Sequence, residues 1–341
     1  MSGAFDLMRM INRRRALILT YHRFSDPSAG NGLDGRTTAQ AFSEQLEYLK
    51  RNYRIVRLSD LVESLSQNNP LPQSLAAVTI DDGYRDSYEI AYPLLRRHGV
   101  PATVYVVTEF VEGRTWLWTD KMRFIANHAP AQELNTMIEG KRLCLTLAGR
   151  ESRHSAAELV NLALKEIDDD VKNELINNIA GLLGVELPNT PPAEYAAISP
   201  QQALEMDQNG VEIGSHTLTH PILTRVSDDR LHREVRDSRT HLESLLKHPV
   251  KHFCYPNGDY DHRVSREIVK AGYQSAVTTM DGFCDRGDGL FELRRIHTES
   301  DITHFAQSTS GFEQIKNRLR KHLVNSPPMK VPSPMTQSTD H

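Results

Sequence analysis

Short apolar runs alternate with amphipathic stretches along most of the chain. Leu17–Tyr21, Leu75–Ile80 and Pro101–Val107 are almost continuously apolar or β-branched, which reads as strands buried on both faces. Val211–Ile213, His252–Tyr255, Gln274–Thr278 and Leu293–Ile296 are shorter runs of the same kind. Between them, Phe42–Leu49, Tyr88–Arg97, Asp228–Leu246 and Val264–Ala271 carry apolar residues at helical spacing. In Asp228–Leu246, Leu231, Val235, Leu242 and Leu245 fall on one side. His98-Gly99 and Gly272 are suitable helix stops, and a final helix is expected over Phe312–Leu323. This rhythm predicts parallel strands joined by crossover helices, an α/β chain forming a distorted (β/α) barrel of about seven strands.

One region breaks the rhythm. From about Gly113 to Pro200 no strand–helix unit is evident. Trp116-Leu117-Trp118 is followed by helical spacing over Leu159–Leu183, and Pro188, Pro191 and Pro192 end it. The expectation is a helical insertion over 113–200 within a single domain spanning 1–324, whose barrel core runs from 75 to 297. Asp168-Asp169-Asp170 reads as a solvated helix face. Residues 325–341, rich in Pro, Ser, Thr and Met, read as a disordered tail.

Composition narrows the function classes. A formal charge of −4 over 341 residues gives no reason to expect a nucleic acid or an anionic membrane as partner. Arg13-Arg14-Arg15 reads as a solvated face. Leu7–Arg15 mixes Met8, Met10 and Ile11 with basic residues but is too short to support membrane contact. Cys144, Cys254 and Cys284 suggest neither a disulfide framework nor a zinc knuckle, and an odd count fits a reducing compartment. No run is long enough to cross a bilayer, and no small-residue cleavage site follows Ala16–His22. The expected location is therefore the cytoplasm or the inner face of the membrane.

The chemistry concentrates at two places. Val78-Thr79-Ile80-Asp81-Asp82-Gly83 is an apolar strand ending in adjacent carboxylates and a glycine. His216-Thr217-Leu218-Thr219-His220 offers two imidazoles four residues apart, after another short apolar run. Either motif alone is weak, because a turn explains the first and the chain has 15 histidines. Together they offer one Asp and two His for a divalent ion, with a second Asp free as a base, which points to metal-assisted hydrolysis. Asp82 is the candidate ligand and Asp81 the candidate base, although spacing alone allows the reverse.

At these residues the chain resembles the polysaccharide deacetylases of the NodB type. Their Thr-Phe-Asp-Asp-Gly motif is similar to Thr79-Ile80-Asp81-Asp82-Gly83, and their paired histidines to His216 and His220. Their aromatic–proline segment resembles Phe253-Cys254-Tyr255-Pro256-Asn257-Gly258. The resemblance covers about Leu75 to Ile296. It implies that Asp81 is the base, that Asp82, His216 and His220 hold one divalent metal (zinc by default), and that the Tyr255 backbone N–H holds the oxyanion. It implies an N-acetylated carbohydrate as substrate. The family often places a base-orienting Arg in its third motif, where this chain has Lys251, His252 and Phe253; Arg294 or Arg295 are candidates for that role. His297 is the candidate general acid, with a plain strand-end histidine as the alternative.

Tyr21, His22, Pro256, Asn257 and Arg294 are candidate substrate contacts, and Trp116 and Trp118 can stack on a sugar ring or simply pack. Removal of O-acetyl or formyl groups by the same machinery, or carbohydrate binding without catalysis, are the competing readings.

Overall fold

The computed structural model describes residues 3–26, 35–67 and 69–314. Seven strands build its centre: β1 (Leu17–Tyr21), β2 (Leu75–Ile80), β3 (Ala102–Val106), β4 (Glu212–Ser215), β5 (His252–Cys254), β6 (Ser275–Asp281) and β7 (Leu293–His297). Each pairs in parallel with the next, and β7 returns to β1, so the sheet closes into a barrel. Closure removes the edges that an open sheet would expose. The two-residue strand Arg54–Ile55 is appended to the start of β2 outside the ring.

Side-chain alternation along each strand separates two cores. Ile18, Ala77, Tyr105, Cys254, Val277 and Leu293 point inward, and Leu58, Leu61, Val62 and Leu65 of the helix Leu58–Ser66 pack against them. Leu19, Tyr21, Val78, Ile80, Val104, Ile213, Phe253 and Ile296 point outward and pack beneath the surrounding helices. Tyr105 fills the barrel so tightly that a Cβ on Gly214 would lie 2.5 Å from its ring.

The crossover helices follow the spacing read from the chain, with longer ends. Ala39–Asn52 starts at the Thr38 cap, Asp228–Leu246 at Ser227 and His262–Lys270 at Asp261. Tyr92–His98 stops at Gly99, whose φ of 64° suits a residue without Cβ. Helices Gly3–Asn12 and Leu58–Ser66 were not anticipated. Helix Ile302–Ser310, not anticipated, is closed by Gly311 at φ 86°, and the chain is helical again over 312–314, where the expected Phe312–Leu323 helix begins. Most of that expected helix, and the 325–341 tail, lie outside the described residues.

Between β3 and β4 the chain leaves the barrel. Helices Trp118–His128, Arg150–Leu164 and Asp169–Leu182 pack around their own core, including Met122, Ile125, Val160, Ile176 and Ile179. The segment is not wholly helical as expected. Glu133–Ile138 and Lys141–Thr146 form an antiparallel hairpin turned at Glu139-Gly140, both at positive φ. The polar–apolar alternation of these two strands was the overlooked signal. The acidic triplet is also corrected. Asp168 and Asp170 are exposed as expected, but Asp169 is buried and paired with Lys172 and Arg230.

Candidate functional site

The carboxyl ends of the strands gather the chemistry. Inward alternation along β1 and β2 carries Thr20, Thr79 and Asp81 to the top of the barrel. The chain then turns through two consecutive left-handed residues, Asp82 at φ 75° and Gly83 at φ 79°. Asp tolerates this conformation better than most residues, and a Cβ on Gly83 would press to 2.9 Å from Val106. This turn lets adjacent carboxylates serve one site. The loop after β4 is strained too, with Thr217 at φ 71° and His220 at φ 64°. Such conformations persist where the surroundings over-determine them, often at functional sites.

Asp82 Oδ1 lies 3.3 Å from His216 Nε2 and 3.5 Å from His220 Nε2. Ligands on a tetrahedral ion at about 2.0–2.1 Å are separated by roughly 3.3–3.4 Å, so this spacing suits a shared divalent cation. The three potential ligand atoms converge within 4.8 Å in a buried setting. His216 Nδ1 donates to the Cys254 carbonyl at 2.8 Å, which leaves Nε2 turned toward Asp82. His220 Nδ1 is buried without a hydrogen-bond partner. Burial would raise the Asp82 pKa, but His216 and His220 lower it to about 2. Burial together with the charge on His216 pushes His220 down to about 3. Asp82 and His220 are thus in the forms that ligate metal. At His216 burial is outweighed by Cys254 and Asp82, which raise its pKa well above the usual range, so a cation bound there would replace the His216 proton.

Asp81 is held differently. Arg295 forks it, with Nη1 2.7 Å from Oδ1 and Nη2 2.7 Å from Oδ2, and both side chains are buried. Arg295 is itself fixed by the Thr278 carbonyl at 2.8 Å and the Thr79 hydroxyl at 3.1 Å. Burial would raise the Asp81 pKa, but the guanidinium outweighs it and holds the group well below the ordinary carboxylate range. His22 Nε2 lies 3.7 Å from Asp81 Oδ2, and Cys254 Sγ 3.5 Å.

A third structure supports the histidine loop. Glu234, buried in Asp228–Leu246, accepts the backbone N–H groups of Leu218 at 3.0 Å and Thr219 at 2.9 Å, and the Thr219 hydroxyl at 2.5 Å. Arg230 links Glu234 to Asp169, so the excursion is tied to the loop that carries His220.

Comparison with known proteins assigns this architecture. Residues 68–142 and 166–276, more than half of the chain, match the family model described as polysaccharide deacetylase. The chain belongs to that family. It is similar to YxkH of Bacillus subtilis strain 168, named for the same family, at 21% identity over 287 residues, covering 84% of this chain and 72% of that one. A 95-residue stretch is 28% identical to the poly-β-1,6-N-acetyl-D-glucosamine N-deacetylase of Escherichia coli K12, covering 28% of this chain and 14% of that enzyme. The Streptococcus pyogenes deacetylase PplD, solved in complex with acetate, has the same fold at a TM-score of 0.58 and 20% identity, over 89% of this chain and 98% of that one.

In this deacetylase the residues singled out from sequence divide sharply. Asp81, Asp82, His216 and His220 converge, with His22 half-exposed beside them. His297 ends β7 level with Thr20; burial, His22 and Arg295 lower its pKa. Tyr21 does not face the mouth, because alternation turns it outward onto Phe24 and Phe42, with its hydroxyl on Gln45. The Tyr255 N–H already donates to the Val277 carbonyl at 3.2 Å, so it is not a free oxyanion donor. Pro256 is buried, and Asn257, at φ 58°, turns its amide to Asp259. Arg294 points away from the site, on the opposite side of β7 from Arg295, and lies exposed beside Gly282. Trp116 and Trp118 are interior packing: the first contacts Phe124 and Tyr195, the second sits under Lys172. Glu234 was missed; its one signal was an acid beside Leu231 and Val235 on the apolar side of its helix.

Proposed function

We propose that this chain hydrolyses N-acetyl groups from an amino-sugar polysaccharide or oligosaccharide. The observation that carries the reading is the meeting of Asp82, His216 and His220 beside an aspartate locked by a buried arginine. Two imidazoles and a carboxylate suit zinc best among common divalent ions. An ion held there supplies a Lewis acid that makes water available as a nucleophile near neutrality. Asp81 receives the proton of the attacking water, and Arg295 keeps that carboxylate ionised and aimed. His297, with its lowered pKa, gives up a proton readily once charged and so suits protonation of the departing amine. His22, half-exposed at the mouth, is placed to touch the sugar.

The N-acetylglucosamine polymer in the name of the Escherichia coli relative supports an acetamide over a formamide or an ester. Mass spectrometry of the acid released from defined N-acetylated, O-acetylated and N-formylated sugars tests the choice. Acetate from the N-acetylated sugar is expected; release from the ester or formamide alone overturns it.

A further inference from the structure

Building on the deacetylase reading, we infer that a second pocket beside the site binds a phosphate-type oxyanion carried by the amino-sugar substrate. A cavity of about 430 Å³ lies between the segment after β1 and the β3–β4 excursion. Arg23, Arg36, Arg123, Arg150, Arg153 and His154 line it. Among the lining residues Glu194 is the one acid, an unusual local balance in a chain of net charge −4.

Three of the guanidinium groups are held in place. Arg23 Nε pairs with Asp86 at 2.7 Å, and Arg123 bonds Glu158 at 2.8 Å and Asp120 at 3.0 Å. Arg153 Nη1 caps the carbonyls of Ala126 and Ala129 at the end of Trp118–His128. These bonds leave Arg123 Nη2 and Arg153 Nε and Nη2 without a partner among the described residues. Arg150 and His154 make no hydrogen bond or ion pair among the described residues. Fixed guanidinium forks match the geometry of phosphate oxygens and lose little freedom on binding.

The position couples this pocket to the reaction. Arg23 follows His22, whose Nε2 is 3.7 Å from Asp81. The same guanidinium lies 3.9 Å from the ring centre of Tyr84, which follows Gly83. The inference places the oxyanion on the same sugar chain whose acetamide reaches the mouth.

The test compares phosphorylated with unphosphorylated N-acetylglucosamine oligomers on the full, metal-loaded chain, and measures inorganic phosphate binding by calorimetry. The wild type is expected to favour the phosphorylated oligomer in kcat/KM. Arg150→Glu should lower that preference, and the affinity for phosphate, by about tenfold. His154→Ala should act in the same direction with a smaller loss. If Arg150→Glu changes neither quantity, the pocket is overturned while the deacetylase reading stands. If phosphate binding falls but both oligomers are processed alike, a substrate-borne anion is overturned in favour of free phosphate. If neither oligomer releases acetate yet phosphate binding depends on Arg150, the pocket stands and the deacetylase reading falls.

Discussion

The two ends of the barrel each bury a histidine, and the two are bonded differently. At the carboxyl end, His216 has one nitrogen on the Cys254 carbonyl and the other turned toward Asp82. At the amino end, His252 has Nε2 against the Ser59 hydroxyl and Nδ1 against the Ser275 hydroxyl, each at 2.8 Å. Glu212 lies near His252, yet it is occupied by the Thr103 hydroxyl and the Ser59 N–H. Burial lowers the His252 pKa to about 4, so the ring is neutral and fully bonded. An imidazole stays available to a metal where the protein leaves a nitrogen uncommitted, as at His216, whose other nitrogen is oriented by a carbonyl. Where hydroxyls take both, the same residue is structure.

His216→Ala should abolish metal retention, measured as bound metal per chain, and lower acetate release by on the order of 10³-fold or more. A variant that kept stoichiometric metal would erase the distinction between the two ends. Asp81→Asn should keep the metal and lose about 10²–10⁴-fold in kcat, the range for a positioned base. Retained turnover would remove Asp81 from the base role.

Arg295→Ala leaves a buried carboxylate unpaired and should destabilise the fold by about 3–5 kcal/mol in denaturant unfolding. An unchanged midpoint would mean that Asp81 finds water or another partner in the barrel. His252→Gln should leave metal content unchanged and lower stability by about 1–3 kcal/mol, since it disturbs buried hydrogen bonds alone. Metal loss in this variant would show that the two ends communicate.

The same residue also governs a pH dependence. The unfolded chain protonates His252 below about pH 6.5, whereas the folded chain resists until about 4. Unfolding therefore takes up a proton in that window, and stability falls as pH drops through it, by at most about 3 kcal/mol from this residue. The difference in unfolding free energy between wild type and His252→Gln should narrow as pH falls from 6.5 to 4. A constant difference would mean that His252 is charged in the folded state.

Much of the site was legible because its motifs are local. Asp81-Asp82-Gly83 and His216–His220 each sit where an apolar run ends, and a parallel barrel brings such ends together. The arginine was narrowed to two neighbours, and strand alternation chose between them: Arg295 faces inward and Arg294 outward. The same alternation removed Tyr21 from the mouth, since its side faces the helices. Trp116 and Trp118 were ambiguous because an aromatic pair has the same pattern whether it packs or stacks on sugar. Glu234 and the arginine pocket left almost no trace, as each joins residues that are distant along the chain.

By itself the sequence determined the repeating strand–helix plan, the place where that plan is interrupted, and the residues able to ligate an ion. Hydrophobic periodicity and short-range motifs are properties of neighbouring residues, so they survive in a string of letters. Tertiary structure decided which arginine grips Asp81, which histidines keep a nitrogen uncommitted, and which N–H groups are already bonded. Those outcomes depend on the inward or outward phase of each strand and on partners tens to hundreds of residues away, and only closure of the barrel fixes them.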